Sequence, residues 1–284
     1  MAARGHHVDV VTYLSSERQG YAYVLDGVRV HPGCPIDLVA QDADLVVSHL
    51  GDNQEAAAWA RTVGKPVVRM VHGIPQAGQT LEGDDLAVFN SESLRATVGW
   101  SGRCAVVHPP VDVRPVHPGH KVTLVNLSEA KGGRLFWELA RTTPDVQFLG
   151  VRGGYGHQVS DKRKNATVID PTVDMAGDVY ARTRILLMPS EQETWGMVGM
   201  EAMTCGIPVI AHPTPGLVES LGTAGIFVDR NDVDGWREAI RDLQRTGPWV
   251  EASAKASARA AAFDSAAQID RFATALESLV PVPA

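Results

Sequence analysis

The chain has 284 residues, of which 44% are hydrophobic and 21% charged, and its formal net charge is -7. This composition is that of an ordinary globular protein and excludes coiled-coil, collagen-like and low-complexity chains. The acidic balance argues against a general nucleic-acid-binding surface, because such surfaces depend on Lys and Arg.

The first part of the chain alternates short apolar runs with a helix-forming stretch. Continuously apolar runs are typical of strands in a parallel sheet that is covered on both faces. The predicted strands are, in order, HHVDVVTYL, ADLVVSHL, KPVVRMVHG, LAVFNS and CAVVHPP. The stretch NQEAAAWARTVG predicts a helix that ends at Gly64. This pattern predicts an N-terminal α/β domain over residues 1–114.

Residues 115–120 contain proline and glycine and predict an interdomain linker. A second series follows, with strands HKVTLVNLS, DVQFLGV, ATVID, DVYARTRILLMPS, IPVIAHP and AGIFVD and helices GGRLFWELARTTP, GMVGMEAMTCG and DVDGWREAIRDLQRT. The series predicts a second doubly wound α/β domain over residues 121–262. Residues 263–284 predict a C-terminal helix, for which a return to the N-terminal domain is one option.

The most informative stretch is PSEQETWGMVGMEAMTCGIPVIAHPTPG. Seven residues separate Glu193 from Glu201, and a turn with Gly196 leads into the helix that carries Glu201. If the spacer is mostly helical, eight steps of ~1.5 Å put the carboxylates about 12 Å apart, roughly the span from a sugar to the ribose of a nucleotide-sugar. The first N–H groups of the helix, at Met197 and Val198, would face a diphosphate or a sugar hydroxyl. Two solvated surface glutamates are the alternative interpretation.

This stretch resembles the signature of family 4 retaining glycosyltransferases. The resemblance rests on Pro-Ser before Glu193, on Gly196, on Glu-Ala-Met and Cys-Gly-Ile-Pro-Val-Ile-Ala, and on the Gly-X-X-Glu pair at Gly216 and Glu219, and it extends to VVRMVHG. It implies an α/β fold of the GT-B class, with two Rossmann-like domains facing across a cleft and the nucleotide-sugar held mainly by the C-terminal one. It also implies that Glu193 binds sugar hydroxyls and that Glu201 binds the ribose.

Lys131, in VTLVNLSEAKGG, matches the Lys-Gly with which the family contacts the donor diphosphate, and an ammonium charge suits two phosphates. The family usually has an Arg five positions earlier, where this chain has Asn126. Arg134 and Arg152 are candidates to replace the lost positive charge. Arg152 and Gly153 lie in LGVRGGYG, which resembles the turn lining the nucleotide pocket, although a plain loop fits equally well.

His72 ends a predicted strand at the carboxyl edge of the first sheet, where open α/β sheets bind ligands. It matches a family histidine that reaches the donor sugar from across the cleft. His49 and Asp52 end a neighbouring strand and are candidates for the acceptor pocket. The residues assigned to catalysis are Glu193, His72 and Lys131, and those assigned to donor binding are Glu201, Asn126, Gly196, Met197, Val198, Arg134, Arg152 and Gly153.

We expect neither a metal site nor a cofactor. Asp84 and Asp85 look like a metal pair, but we interpret them as a solvated turn because the GT-B class does not require a divalent ion. Trp195 stands where the family commonly has Phe and should pack in the core. Three widely spaced cysteines predict no disulfide framework, and no apolar run approaches the ~18 residues of a membrane span. We therefore expect a cytoplasmic protein.

The predicted function is transfer of a sugar from a UDP- or GDP-sugar to an acceptor, with retention of anomeric configuration, by a hexosyltransferase-type enzyme. A lipid, a protein, a small molecule and a modified nucleobase all stay open as the acceptor. Family members have a strand, a Gly-rich loop and a helix before a segment like AARGHHVDVVTY, so a reduced N-terminal domain is expected. Two alternatives stay open: a degenerate GT-B module that holds a nucleotide-sugar without turnover, and another GT-B enzyme such as a nucleotide-sugar epimerase.

Overall fold

The computed structural model describes residues 1–12, 21–49, 54–74, 81–154 and 156–280. The chain divides into two compact units. Unit 1 comprises Met1–Asn90, Arg95–Val107 and Ile269–Ala284, and unit 2 comprises Ser91–Leu94 and His108–Gln268. The domain limits inferred above, with a linker at 115–120, stay predictions.

The elements up to residue 107 alternate strands with short helices. The strands are β1 (Asp9–Thr12), β2 (Tyr23–Leu25), β3 (Val28–Pro32), β4 (Val46–His49), β5 (Val67–Val71), β6 (Leu86–Phe89) and β7 (Cys104–Val106). The helices are α1 (Ile36–Val39), α2 (Gln54–Thr62) and α3 (Glu92–Val98). The sequence did not predict β2, β3, α1 or α3.

Within the described residues, the strands of unit 1 form two sheets. One has the order β1-β3-β2, with β1 parallel and β2 antiparallel to β3. The other is parallel and has the order β4-β5-β6-β7. Strands β5 and β6 are buried along most of their length, as the continuous apolar runs predict.

A charged pair lies inside the second sheet of unit 1. Arg69, in the middle of β5, and Asp84 both have side chains that are 0% exposed. The Arg69 Nε and Nη2 groups donate to the two Asp84 carboxylate oxygens at 3.0 and 3.2 Å. The interpretation of Asp84 as part of a solvated turn is therefore wrong. A buried guanidinium requires an anionic partner, and Asp84 provides it.

The elements after residue 107 form a longer series. The strands are β8 (Lys121–Val125), β9 (Phe148–Val151), β10 (Ala166–Ile169), β11 (Thr183–Met188), β12 (Val209–Ala211) and β13 (Ile226–Phe227). The helices are α4 (Gly133–Thr142), α5 (Met197–Thr204), α6 (Pro215–Leu221), α7 (Val233–Gln244), α8 (Thr246–Ala261) and α9 (Ser265–Glu277). From Ile269 onward α9 belongs to unit 1, where Phe272 and Leu276 pack against Val68 and Val88.

The strands of unit 2 form one parallel sheet in the order β10-β9-β8-β11-β12-β13. Helix α4 has a buried stripe that includes Leu135, Phe136 and Leu139, which pack against Val122 and Phe148. The predicted strand DVYARTRILLMPS begins instead in two helical turns, Met175–Val179 and Tyr180–Arg182, and β11 begins at Thr183. No helix among the described residues is long and apolar enough to cross a membrane.

Candidate functional site

Two neighbouring strands bring the central side chains of the site together. Strand β8 ends at Val125 and β11 ends at Met188, and the two strands are adjacent and parallel. Because the carboxyl ends of parallel strands lie at one edge of a sheet, the loops that follow them meet there. The first loop carries Lys131 and the second carries Glu193.

The Lys131 ammonium and the Glu193 carboxylate form a direct ion pair. Both side chains are partly covered, with 28% and 18% of their surfaces exposed. The sequence assigned these residues to the same donor but did not predict that they contact each other, because 62 positions separate them. The pair places a cation and an anion side by side at the carboxyl edge of the sheet.

The loop that carries Glu193 is held from behind by α6. Thr214 accepts the Leu217 N–H at 3.3 Å and so caps the start of α6. In the first turn of α6, Gly216 lies so close to the Glu193 loop that a Cβ at this position would be 2.3 Å from the Glu193 carbonyl oxygen. This close approach explains the glycine of the Gly-X-X-Glu pair, because any side chain there would displace the Glu193 loop.

Trp195 packs as the sequence predicts. Its side chain is 2% exposed and stacks on His108, with ring centroids 4.1 Å apart. Phe263 lies against the same indole, at 5.8 Å between ring centroids. These aromatic contacts fix the turn between Glu193 and α5.

Glu201 lies on α5 and accepts a hydrogen bond from a buried tyrosine. The Tyr180 hydroxyl donates to Glu201 Oε2 at 2.5 Å, and Tyr180 is 0% exposed. Burial raises the pKa of Glu201 above its ordinary value, and the hydrogen bond from Tyr180 opposes this rise. Burial, followed by the charge of Glu201, raises the pKa of Tyr180, so the phenol keeps its proton.

Helix α5 begins at Met197, directly after Gly196. Gly196 has no side chain that accepts the first N–H groups of the helix, including those of Met197 and Val198, and such groups attract anions. Only the part of the Glu193–Glu201 spacer from Met197 onward is helical. The helical rise that gave about 12 Å between the carboxylates therefore does not apply to the first half of the spacer.

Asn126 organises the loop after β8. It adopts a left-handed backbone conformation, with φ at 68°, which is uncommon for a residue other than glycine. Its Oδ1 accepts hydrogen bonds from the Ser128 N–H and the Gln158 side chain, both at 3.1 Å. The Gly153 N–H donates to the same Gln158 side chain at 2.8 Å. These contacts tie the loop after β8 to the loop after β9.

The two arginines proposed to replace the missing family Arg each have an acidic partner. Arg134 donates from Nε to Glu129 at 2.6 Å, and its side chain is 75% exposed. Arg152 pairs with Asp170 at 2.5 Å, and its side chain is 52% exposed. Their roles in donor binding stay predictions.

In unit 1, His72 follows β5 and stacks on His49, the last residue of β4, with ring centroids 4.8 Å apart. Burial, followed by the neighbouring His49, lowers the pKa of His72, so this imidazole is neutral at pH 7. Asp52 lies outside the described residues. The roles of these residues at the donor sugar and the acceptor stay predictions.

Sequence reasoning missed two residues of the site. Tyr180 was placed in a predicted strand, where its contact with Glu201 had no signal. Arg230 follows β13 and contacts both the Lys131 loop and the Glu193 loop. Its position just after a strand, at the carboxyl edge of the sheet, is the same signal that singled out His72.

In the part of the chain that the structure describes, no cluster of three or more His, Cys, Asp or Glu is arranged to hold a metal.

Comparison with known protein families identifies a match within unit 2, and comparison with curated proteins identifies distant relatives. Residues 135–246 match the family described as Glycosyl transferases group 1. A D-inositol 3-phosphate glycosyltransferase from Mycobacterium sp. (strain KMS) is 29% identical over 177 residues, which cover 51% of this chain. The aligned part spans 40% of that relative's length.

Solved structures match nearly the whole chain. Sucrose-phosphate synthase from Thermosynechococcus elongatus superposes with a TM-score of 0.80 at 18% identity, covering 98% of this chain and 90% of that one. Anabaena HepE in complex with UDP-glucose gives a TM-score of 0.73 at 19% identity, covering 89% of this chain and 86% of that one. The predicted α/β fold of the GT-B class is confirmed.

Proposed function

We propose that this chain is a retaining glycosyltransferase similar to family 4, which transfers a sugar from a UDP- or GDP-sugar to an acceptor. The observation that carries the proposal is the ion pair between Lys131 and Glu193 at the carboxyl edge of the unit 2 sheet. A diphosphate requires a cation, and sugar hydroxyls require an acceptor of hydrogen bonds. The pair supplies both groups next to each other.

Donor binding separates this pair. The diphosphate takes Lys131 and the first N–H groups of α5, at Met197 and Val198, because both favour negative charge. Glu193 is then released to accept hydrogen bonds from sugar hydroxyls. Glu201, held by Tyr180, accepts hydrogen bonds from the ribose.

The chemistry follows from charge at the leaving group. As the bond between the anomeric carbon and the diphosphate oxygen breaks, negative charge grows on that oxygen, where Lys131 and the α5 N-terminus stabilise it. The same diphosphate accepts the proton of the acceptor hydroxyl, which attacks the face that the leaving group vacates. No protein nucleophile is needed, and most of the rate enhancement comes from positioning and electrostatics.

Two comparisons support a nucleotide-sugar donor. HepE binds UDP-glucose in its solved complex, and the mycobacterial relative is named a glycosyltransferase. We leave the acceptor at the level of a hydroxyl-bearing or nucleophilic molecule: a lipid, a protein, a small molecule or a modified nucleobase.

The experiment is a calorimetric comparison of a bare nucleotide with its sugar conjugate, using UDP and UDP-glucose, then GDP and GDP-mannose. Glu201→Ala should weaken both members of the preferred pair by about 1.5 to 3 kcal/mol, the size of hydrogen bonds to a charged group. Glu193→Ala should weaken only the nucleotide-sugar. It should leave the bare nucleotide unchanged or bound more tightly, because Lys131 loses the carboxylate that competes with the diphosphate.

Equal losses for both variants on both ligands would contradict this division of roles. Glu251→Ala is the matched control, because Glu251 lies on α8 in an exposed pair with Lys255. This control should bind all four ligands as the wild-type chain does.

A module that binds a nucleotide-sugar without turnover is the second candidate. The observation that favours it is Asn126, which stands at the position of the family's Arg and has its side chain engaged within the loop. Release of nucleoside diphosphate from the nucleotide-sugar distinguishes the two functions, and Lys131→Ala should lower that release by more than it weakens binding. Binding without any release would favour the module, and a changed sugar stereochemistry with donor alone would favour an epimerase.

A further inference from the structure

Arg230 contacts the two loops that carry the central ion pair. Its Nη1 donates to the carbonyl oxygens of Ala130 and Pro189, both at 2.9 Å. Its Nη2 donates to the Glu129 carbonyl oxygen at 2.5 Å. The side chain is 18% exposed, so the guanidinium is largely enclosed by these partners.

These carbonyl groups belong to the residues that precede Lys131 and Glu193. Ala130 is the neighbour of Lys131, and its carbonyl oxygen also accepts the Glu191 N–H at 2.9 Å. Pro189 begins the stretch that leads to Glu193. A single guanidinium therefore joins the backbone after β8 to the backbone after β11.

The two loops pack closely where Arg230 connects them, which leaves little room for another backbone conformation. Gly132 has a φ of 93°, and a Cβ there would be 2.3 Å from Pro189 Cγ. Arg230 itself is fixed through its N–H, which donates to His212 Nδ1 at 3.1 Å, and through Glu191, whose carboxylate lies 3.1 Å from Nη2.

We propose that Arg230 is a positioning residue that joins the two loops that carry Lys131 and Glu193, so that both side chains can bind one donor. The proposal rests on the proposed function, in which Lys131 binds the diphosphate and Glu193 binds the sugar of the same donor. Arg230 acts through backbone carbonyl groups and not through the donor. Its effect therefore depends on the planar fork of the guanidinium as well as on its charge.

A lysine at this position separates charge from geometry. Arginine presents five N–H donors in a rigid fork, whereas lysine offers one nitrogen on a flexible stem. An ammonium cannot reproduce the two-nitrogen contact with Glu129, Ala130 and Pro189. Arg230→Lys keeps the charge and loses the two-nitrogen contact that connects the loops, and Arg230→Met loses both.

The first readout is calorimetric titration with UDP-glucose and GDP-mannose. Arg230→Lys and Arg230→Met should both weaken the preferred donor by about tenfold or more, because part of the binding free energy is then needed to order the two loops. Arg237→Lys is the matched control, because Arg237 lies on α7 and pairs with Asp234 within the same helix. The control should bind the donor as the wild-type chain does.

The second readout does not depend on donor binding. The rate at which a succinimidyl ester acylates Lys131, followed by mass spectrometry, reports how far the ion pair with Glu193 shields the amine. This rate should rise severalfold in Arg230→Lys, while Lys255, paired with Glu251 on α8, should react at an unchanged rate.

Wild-type donor affinity and an unchanged Lys131 acylation rate in Arg230→Lys would overturn the proposal. If Arg230→Met fails to fold, Arg230→Lys alone decides, with its thermal unfolding as the check on folding. If the wild-type chain binds no nucleotide-sugar at all, the proposed function fails, and the acylation rates still decide the role of Arg230.

Discussion

At the scale of single residues, the contact between Tyr180 and Glu201 opposes the effect of burial on the pKa of this carboxyl. Burial favours the protonated form of Glu201, and the Tyr180 hydroxyl favours the ionised form. An ionised carboxylate only accepts hydrogen bonds, whereas the protonated form uses one oxygen as a donor. In the proposed site, Tyr180 therefore favours the form of Glu201 that accepts hydrogen bonds from both hydroxyls of the ribose.

Tyr180→Phe removes this hydroxyl and keeps the ring. The pKa of Glu201 should rise further above its ordinary value, because burial then acts unopposed. As the pH is lowered, nucleotide binding by the variant should begin to weaken at a higher pH than in the wild-type chain. Calorimetry with UDP or GDP over a pH series measures this, and coinciding pH profiles would contradict the role of Tyr180.

The buried pair of Arg69 and Asp84 makes a prediction about stability. Asp84→Ala leaves the Arg69 guanidinium charged and enclosed, which costs about 3 to 5 kcal/mol of unfolding free energy. Urea unfolding followed by far-UV circular dichroism measures the loss. Glu251→Ala, which removes an exposed pair, should leave the unfolding free energy nearly unchanged. A loss no greater than that of this control would show that the buried pair is dispensable.

The sequence predicts the roles of several site residues but not the contacts between them. The resemblance assigned roles to Lys131 and Glu193, because both lie in recognisable motifs. It did not predict their contact, the contact of Tyr180 with Glu201, or the position of Arg230. These contacts depend on which loops are neighbours at the edge of the sheet. The order of the strands decides this, and local sequence does not determine that order.

At the scale of elements, α6 positions the Glu193 loop through the close approach of Gly216. Gly216→Ala should displace that loop, and a forced shift of this kind costs roughly 1 to 3 kcal/mol. We expect the variant to bind UDP-glucose more weakly relative to UDP than the wild-type chain does. The control is Gly247→Ala on α8, where a Cβ meets no atom within 4 Å. Equal behaviour of the two variants in calorimetry would refute the role of α6.

Helices α4, α5 and α7 were predicted, and several short elements were not. All three lie within their predicted stretches. An apolar stripe at helical spacing identifies α4 and α7, whereas α5 has no exposed residue and is identified by the glycines on either side of it. Helix α6 was missed, although Thr214 as its cap and Pro215 at its first position are recognised start signals. Strand β2 is short and largely exposed, and in β3 the residues Arg29 and His31 interrupt the apolar run.

At the scale of the whole molecule, the proposed donor site lies within unit 2. Lys131, Glu193, Glu201, Tyr180 and Arg230 all belong to that unit. The segment that matches Glycosyl transferases group 1 begins at residue 135, so it includes the two glutamates and excludes Lys131. The assignment of Lys131 to the donor therefore rests on its Lys-Gly motif and on its ion pair with Glu193.

Backbone amide chemical shifts during titration with UDP-glucose and GDP-mannose show whether Lys131, Glu193 and Glu201 form the donor site. We expect saturable shifts concentrated at residues 126–133 and 193–201, and Lys131→Ala should weaken that binding. Shifts confined to another surface, or no binding of either nucleotide-sugar, would contradict the claim that Lys131, Glu193 and Glu201 form the donor site.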